Sequence, residues 1–257
     1  MSSHASSATT STNTSSPPSN RSEAVRRWTC GLALIMFPAL LLVQAVITPD
    51  DGGGEAMYAA ATEHRSALLL SATLLIVSGI LMAPAAAGIL SLARRRGSIM
   101  AIVGAVLAVL GGTGHIALGY FYIMSAALPG GDRGEMIAYV DRIGASSALM
   151  IFVFPLLLCF GLAVIAMPWA AYRAGAVGRW APITAAVAFL IHEGLPPEVE
   201  FQDLIGIVVL AVLTVVHGHL GLVVIRSRGR VESVRTPALG EAHGAETTRL
   251  AGVSAGR

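Results

Sequence analysis

The sequence predicts an all-α, polytopic transmembrane bundle of six spans with both termini in the cytoplasm. Three observations carry this. The chain is 54% hydrophobic and only 12% charged, with a mean hydropathy of +0.71, a balance typical of integral membrane proteins. Several apolar runs, among them Ala67–Leu92 and Ser98–Leu128, reach the roughly 20 residues that a helix needs to cross a bilayer. The arginines, finally, are segregated. Arg94, Arg95 and Arg96 lie between those two runs, and three adjacent guanidiniums resist translocation, so this loop should stay inside and set the sidedness of every other segment.

In chain order, residues 1–24 form a Ser/Thr-rich tail with Pro17-Pro18 and too few apolar residues to offset the entropy of ordering. The transmembrane domain occupies 25–227, and 228–257 is a second polar, disordered tail. Span one is Thr29–Ile47, preceded by Arg26-Arg27 and containing Pro38. The arginines with Val43-Gln44-Ala45 imitate a signal peptide, but the long preceding tail argues for a retained span. An acidic outer loop follows, and its Ala-rich half, Glu55–His64, should be a helix leading into span two, Ala67–Leu92. Span three is Ser98–Leu128. Asp132 and Glu135 have the spacing of a capping box, so a helix should start there and run on into span four, Gly144–Met167. Trp169, Tyr172 and Arg173 then belong to an inner loop. Span five, Ala181–Leu195, is short, and span six is Leu204–Ile225. With this topology the outer segments hold three arginines against eleven acids and the inner ones hold the other fourteen arginines. Omitting span five would put the basic C-terminal tail outside, which is why the rule favours six crossings.

A faint repeat links Gly54-Glu55-Ala56-Met57-Tyr58 to Gly134-Glu135-Met136-Ile137-Ala138-Tyr139. Three stacked hairpins would account for it. The acidic outer loop, the Glu63-His64-Arg65 entry to span two and Leu92-Ala93-Arg94-Arg95-Arg96-Gly97-Ser98 ahead of a Gly-rich span resemble small multi-pass membrane proteins of actinobacteria. The resemblance covers about 25–225 and implies a bacterial plasma-membrane location, but no activity and no catalytic residues.

The interior of the spans holds no Asp, Glu or Arg, which weakens an ion- or proton-coupled transporter reading. There is no Walker A loop, GxSxG or HExxH motif and no cysteine cluster. Cys30 and Cys159 read as small apolar fillers. Histidine is the titratable residue left at membrane depth. His115 and His217 lie within about 5 Å of the centres of spans three and six at 1.5 Å per residue. Gly111 and Gly119 flank His115, and Gly221 follows His217 by one turn. Glycine beside an imidazole leaves room for a flat macrocycle, so His115 and His217 could ligate haem b, or hold a quinone, if their helices are neighbours. The competing reading is packing: Gly104, Ala108 and Gly111 form a small-residue groove for close helix approach, and a neutral histidine there, bonded to a backbone carbonyl or to Thr214, needs no cofactor. A weaker candidate is a divalent-metal site from His64, His192 and Glu193 at the outer surface.

These observations favour a non-enzymatic membrane protein, either a partner-binding subunit or a carrier of apolar small molecules, with no cofactor. A redox module using His115 and His217 is the alternative. The expected surroundings are the lipid bilayer, with a membrane-protein partner or a second copy, and no nucleic acid.

Overall fold

The structure, a computed structural model, describes residues 20–49, 52–93, 97–194 and 202–227. The Arg94–Arg96 triplet, Asp50, Asp51, Glu198, Glu200, residues 1–19 and the tail from 228 lie outside the described residues. Within them all regular structure is helical. Nine α-helices follow in order: α1 Asn20–Ile47, α2 Gly53–Glu63, α3 Arg65–Leu92, α4 Ser98–Ser125, α5 Arg133–Gly144, α6 Ser147–Phe152, α7 Phe154–Arg173, α8 Trp180–Gly194 and α9 Gln202–Arg226. Five of them (α1, α3, α4, α7 and α9) are long and apolar enough to cross a membrane. α8 is apolar but has only 15 residues, about 22 Å at helical rise, against a hydrocarbon core of about 30 Å.

Several boundaries differ from the expectation. α1 starts at Asn20, inside the stretch assigned to the tail. The continuous helix expected from 133 through span four is broken twice, once after Gly144 and again at Val153. Pro155 supplies the second break. It has no N–H for the carbonyl of Ile151, and its ring collides with the preceding turn, so it is accommodated in the first turn of α7. α7 runs to Arg173, so Trp169 and Tyr172 are helical rather than in a loop. The capping expectation holds: Asp132 Oδ1 accepts from the Glu135 N–H at 3.0 Å.

Six helices close into a ring in the order α1, α3, α4, α7, α8, α9 and back to α1, and every neighbouring pair is antiparallel. Along α1 and α3 the matched positions are Cys30 with Gly88, Phe37 with Ser78, and Thr48 with Ser71. Along α4 and α7 they are Gly97 with Ala170, Gly104 with Ala166, and Gly111 with Phe160. The start of α1 and the end of α9 share one end of the bundle, where an Arg27 N–H (Nη1) donates to the Ser227 carbonyl at 2.7 Å. In sequence terms the ring is three hairpins, α1/α3, α4/α7 and α8/α9.

Small residues bring the helices to backbone contact at several crossings. A Cβ on Gly112 of α4 would stand 2.5 Å from the Gly79 carbonyl oxygen of α3, and one on Gly221 of α9 would stand 2.5 Å from that of Gly31 in α1. Ile102, Val106 and Val109 of α4 meanwhile face outward. Lipid tails are as apolar as leucine, so burying leucine gains little in a membrane. What holds such helices together is close backbone approach.

Candidate functional site

The two membrane-depth histidines are buried: His217 is fully buried and His115 is 8% exposed. Each Nδ1 faces the carbonyl one turn back, His115 to Gly111 at 3.0 Å and His217 to Leu213 at 2.9 Å. A carbonyl can only accept, so Nδ1 carries the proton in both rings and Nε2 is left as an acceptor. Among the described residues Nε2 of His217 has no hydrogen-bond partner.

Their helices are not neighbours. α4 packs on α3 and α7, while α9 packs on α1 and α8. A relay of aromatic rings connects the histidines instead. His115 meets Phe160 with ring centroids 4.3 Å apart, Phe160 meets Phe37 at 6.5 Å, and Phe37 meets His217 at 5.1 Å, each pair edge to face. Among the described residues no ring contact joins the two imidazoles directly. Nor is there space for a macrocycle beside them. A Cβ on Gly111 would stand 2.5 Å from Phe160 Cα, and one on Gly119 would stand 2.8 Å from the Ala72 carbonyl oxygen. The position beside His217 is filled likewise, Gly221 lying against Gly31 and Ile35. The glycines expected to make room for a cofactor are spent on helix crossings, and the residues present do not fit a haem held by His115 and His217. Phe37 and Phe160 escaped the sequence reading because an isolated phenylalanine in an apolar run carries no signal.

The outer histidines are at the same end of the bundle but belong to different elements. His64 is the exposed residue between α2 and α3, and His192 sits near the end of α8, with its ring toward Gly206 of α9. The side chain of Glu193 lies outside the described residues. Among the described residues no three His, Cys, Asp or Glu side chains converge as a metal site would require.

Two short helices, α2 and α5, pack together at this end. Asp141 Oδ1 accepts from the Gly54 N–H at 2.8 Å, so a residue of α5 caps α2. Arg133 pairs with Glu55, and its guanidinium carbon lies 5.9 Å from the centre of the Tyr58 ring. The repeated segments singled out in the sequence are therefore in contact with each other.

A concavity lies elsewhere, between α8 and α9. It is a groove of about 460 Å³, lined by Ile183, Val187, Ile191, Leu204, Val208 and Val212, with Thr184 among them. Thr184 and the backbone supply what little polarity it has. Its volume falls in the range of small-molecule pockets, roughly 300–1,000 Å³. At the opposite end of α8 the Trp180 ring stacks near His219 of α9, centroids 5.3 Å apart. No sequence signal marks the groove, since valines and isoleucines lining a concavity look like those facing lipid. A comparison of the chain with protein-family models, with curated proteins and with solved structures returns no match.

Proposed function

We propose that this chain is a six-crossing, N-in/C-in protein of a bacterial plasma membrane that binds an apolar small molecule in the α8–α9 groove and performs no chemistry on it. The supporting observation is the groove itself: concave, aliphatic and flanked by the least tightly packed helix of the ring. An apolar ligand would enter sideways from the bilayer and need no hydrogen-bond partner there. In the six-crossing reading α8 is the fifth span, and local thinning of the bilayer or snorkelling of flanking residues accommodates its short length.

Organic extracts of detergent-purified protein, analysed by mass spectrometry, should contain a retained apolar compound. Filling the groove with Val187→Phe and Val208→Phe should reduce that compound at least tenfold without loss of protein. Equal retention would overturn the groove assignment. A photoreactive residue at Val208, which is 55% exposed, should crosslink to a small molecule. A crosslink to another polypeptide would favour the partner-binding reading instead. The redox alternative would declare itself as a Soret band in the same preparation.

Topology is tested separately. Asp203→Cys, in the first turn of α9, should react with an impermeant maleimide in intact cells, and Arg226→Cys, at its end, should not. The reverse pattern would sink the six-crossing reading.

A further inference from the structure

At the end of the bundle where α1 begins and α9 ends, α1, α3 and α9 enclose a pocket of about 190 Å³. Arg26 and Arg27 stand at its wall, Ser91 contributes a hydroxyl, and Cys30, Ala87, Leu90 and Val224 make the apolar remainder. Arg27 is fixed rather than free, because its Nη1 is tied to the Ser227 carbonyl at 2.7 Å. Among the described residues its Nε, which is buried, has no hydrogen-bond partner. A buried guanidinium N–H without an acceptor is costly and uncommon. No acid lines the pocket, and among the described residues no ion pair reaches either arginine, although Glu23 lies one turn before them on α1. The Ser91 hydroxyl donates to the Gly88 carbonyl at 2.6 Å, which leaves its oxygen lone pairs but no further donor.

A cavity with two guanidiniums at its wall and, among the described residues, no acid lining it is complementary to an oxyanion. We propose that this pocket binds a phosphate group, and that its apolar floor selects one carried by an anionic lipid headgroup rather than a free anion. The guanidinium fork matches phosphate oxygens geometrically as well as in charge. Basic pockets between transmembrane helices at the membrane surface recognise headgroups in this way. Arg27 then has two roles, joining α1 to the end of α9 through Nη1 and adding its charge to the pocket wall. Lipid binding would lock the seam that closes the ring.

The test uses the full chain in detergent, which makes it independent of the sidedness and the groove assigned above. Dioleoylphosphatidylglycerol, dioleoylphosphatidylcholine and inorganic phosphate are titrated separately, with thermal stability and native mass spectrometry as readouts. Phosphatidylglycerol should raise the unfolding temperature and remain bound as an adduct, and the other two should do neither at equal concentration. Arg26→Gln leaves the Arg27–Ser227 bond intact and should weaken lipid retention about fivefold, the effect of one guanidinium near a charged headgroup. Arg27→Gln should weaken it at least as much, with a lower unfolding temperature even without lipid. Arg65→Gln, at the other end of the bundle, should change nothing. Equal binding of phosphatidylcholine, or unchanged retention in Arg26→Gln, would overturn the proposal. A matching response to inorganic phosphate alone would overturn the choice of a lipid.

Discussion

The α3–α4 seam and the corner occupied by α8 use the same kinds of residue and reach opposite results. At the seam, glycine faces glycine, and each backbone stands where the other's Cβ would be. At the corner, Gly161 of α7 faces the ring of Phe189 on α8, and Gly206 of α9 has only the edge of the His192 ring nearby. The first arrangement brings two helices to backbone contact over several turns. The second leaves a side chain as spacer between α7 and α8, and the groove lies between α8 and α9. Glycine content alone therefore says nothing about tightness in a membrane; what the glycine meets decides it.

The largest expected effect tests the tight side. In Gly112→Val every rotamer places atoms against the Gly79 backbone, which cannot turn away as a side chain can. A loss of about 3 kcal/mol or more is expected, the upper range for overpacking, read as unfolding at lower denaturant or as failure to purify as a monodisperse species. Normal stability in Gly112→Val would mean that α3 and α4 are not in backbone contact, and the comparison would lose its first term.

His217 sits where the tight and loose sides meet, on the helix that packs on both α1 and α8. Its burial and its contact with Phe37 change what its sequence position alone suggests, which is little effect on substitution. His217→Ala would open a cavity beside Phe37 and should cost about 2 kcal/mol. His217→Leu keeps the volume and removes, with the Nδ1–H bond to the Leu213 carbonyl, an acceptor that has no partner among the described residues, so it should cost less than His217→Ala. His115→Gln is expected to be milder than His115→Ala, because it keeps a donor for the Gly111 carbonyl. If His217→Leu were as damaging as His217→Ala, the Nε2 atom would be engaged by something the packing account omits.

How far the sequence reveals this arrangement depends on whether a feature is local. Helix length and apolarity are local, and the spans from Arg65, Ser98 and Gln202 begin within a few residues of expectation. The Asp132 cap is local too. Gly97, with φ of +80°, is legible as a turn residue after the arginines. Which helices become neighbours is not local. His115 and His217 have suitable depths, yet pairing them required α4 to lie beside α9, and nothing in either helix states its partner. In water a hydrophobic stripe would point to the core. In lipid that stripe is lost, and α3 and α9 are apolar all round. The break at Pro155 was obscured for a related reason: proline is tolerated within membrane helices, as Pro38 and Pro84 are here.

On the loose side the expected effects shrink. Gly161→Ala puts a methyl where the Phe189 ring lies, but a ring can turn aside where a backbone cannot. A cost of about 1 kcal/mol is expected, against the larger loss at Gly112. Phe189 is not among the residues lining the groove, so retention of the apolar compound should stay unchanged. A stability loss as large as that of Gly112→Val would mean that the ring has no room to move.

The smallest effect is expected at Gly218 on α9, between His217 and His219. Nothing lies within 4 Å of the position a Cβ would take there, and its backbone has no positive φ. Alanine therefore adds a methyl without a collision and removes some of the backbone freedom that glycine has in the unfolded chain. Stability of Gly218→Ala in detergent should stay within about 0.5 kcal/mol of the parent or rise slightly. The position adjoins the buried His217, so a neutral result would isolate the cause of the loss at Gly161: the same methyl is added in the same kind of helix, and only the neighbour differs. A loss at Gly218 comparable to that at Gly161 would mean instead that this face of α9 is covered in the membrane, by a second copy or another chain, and the corner would be loose only in isolation.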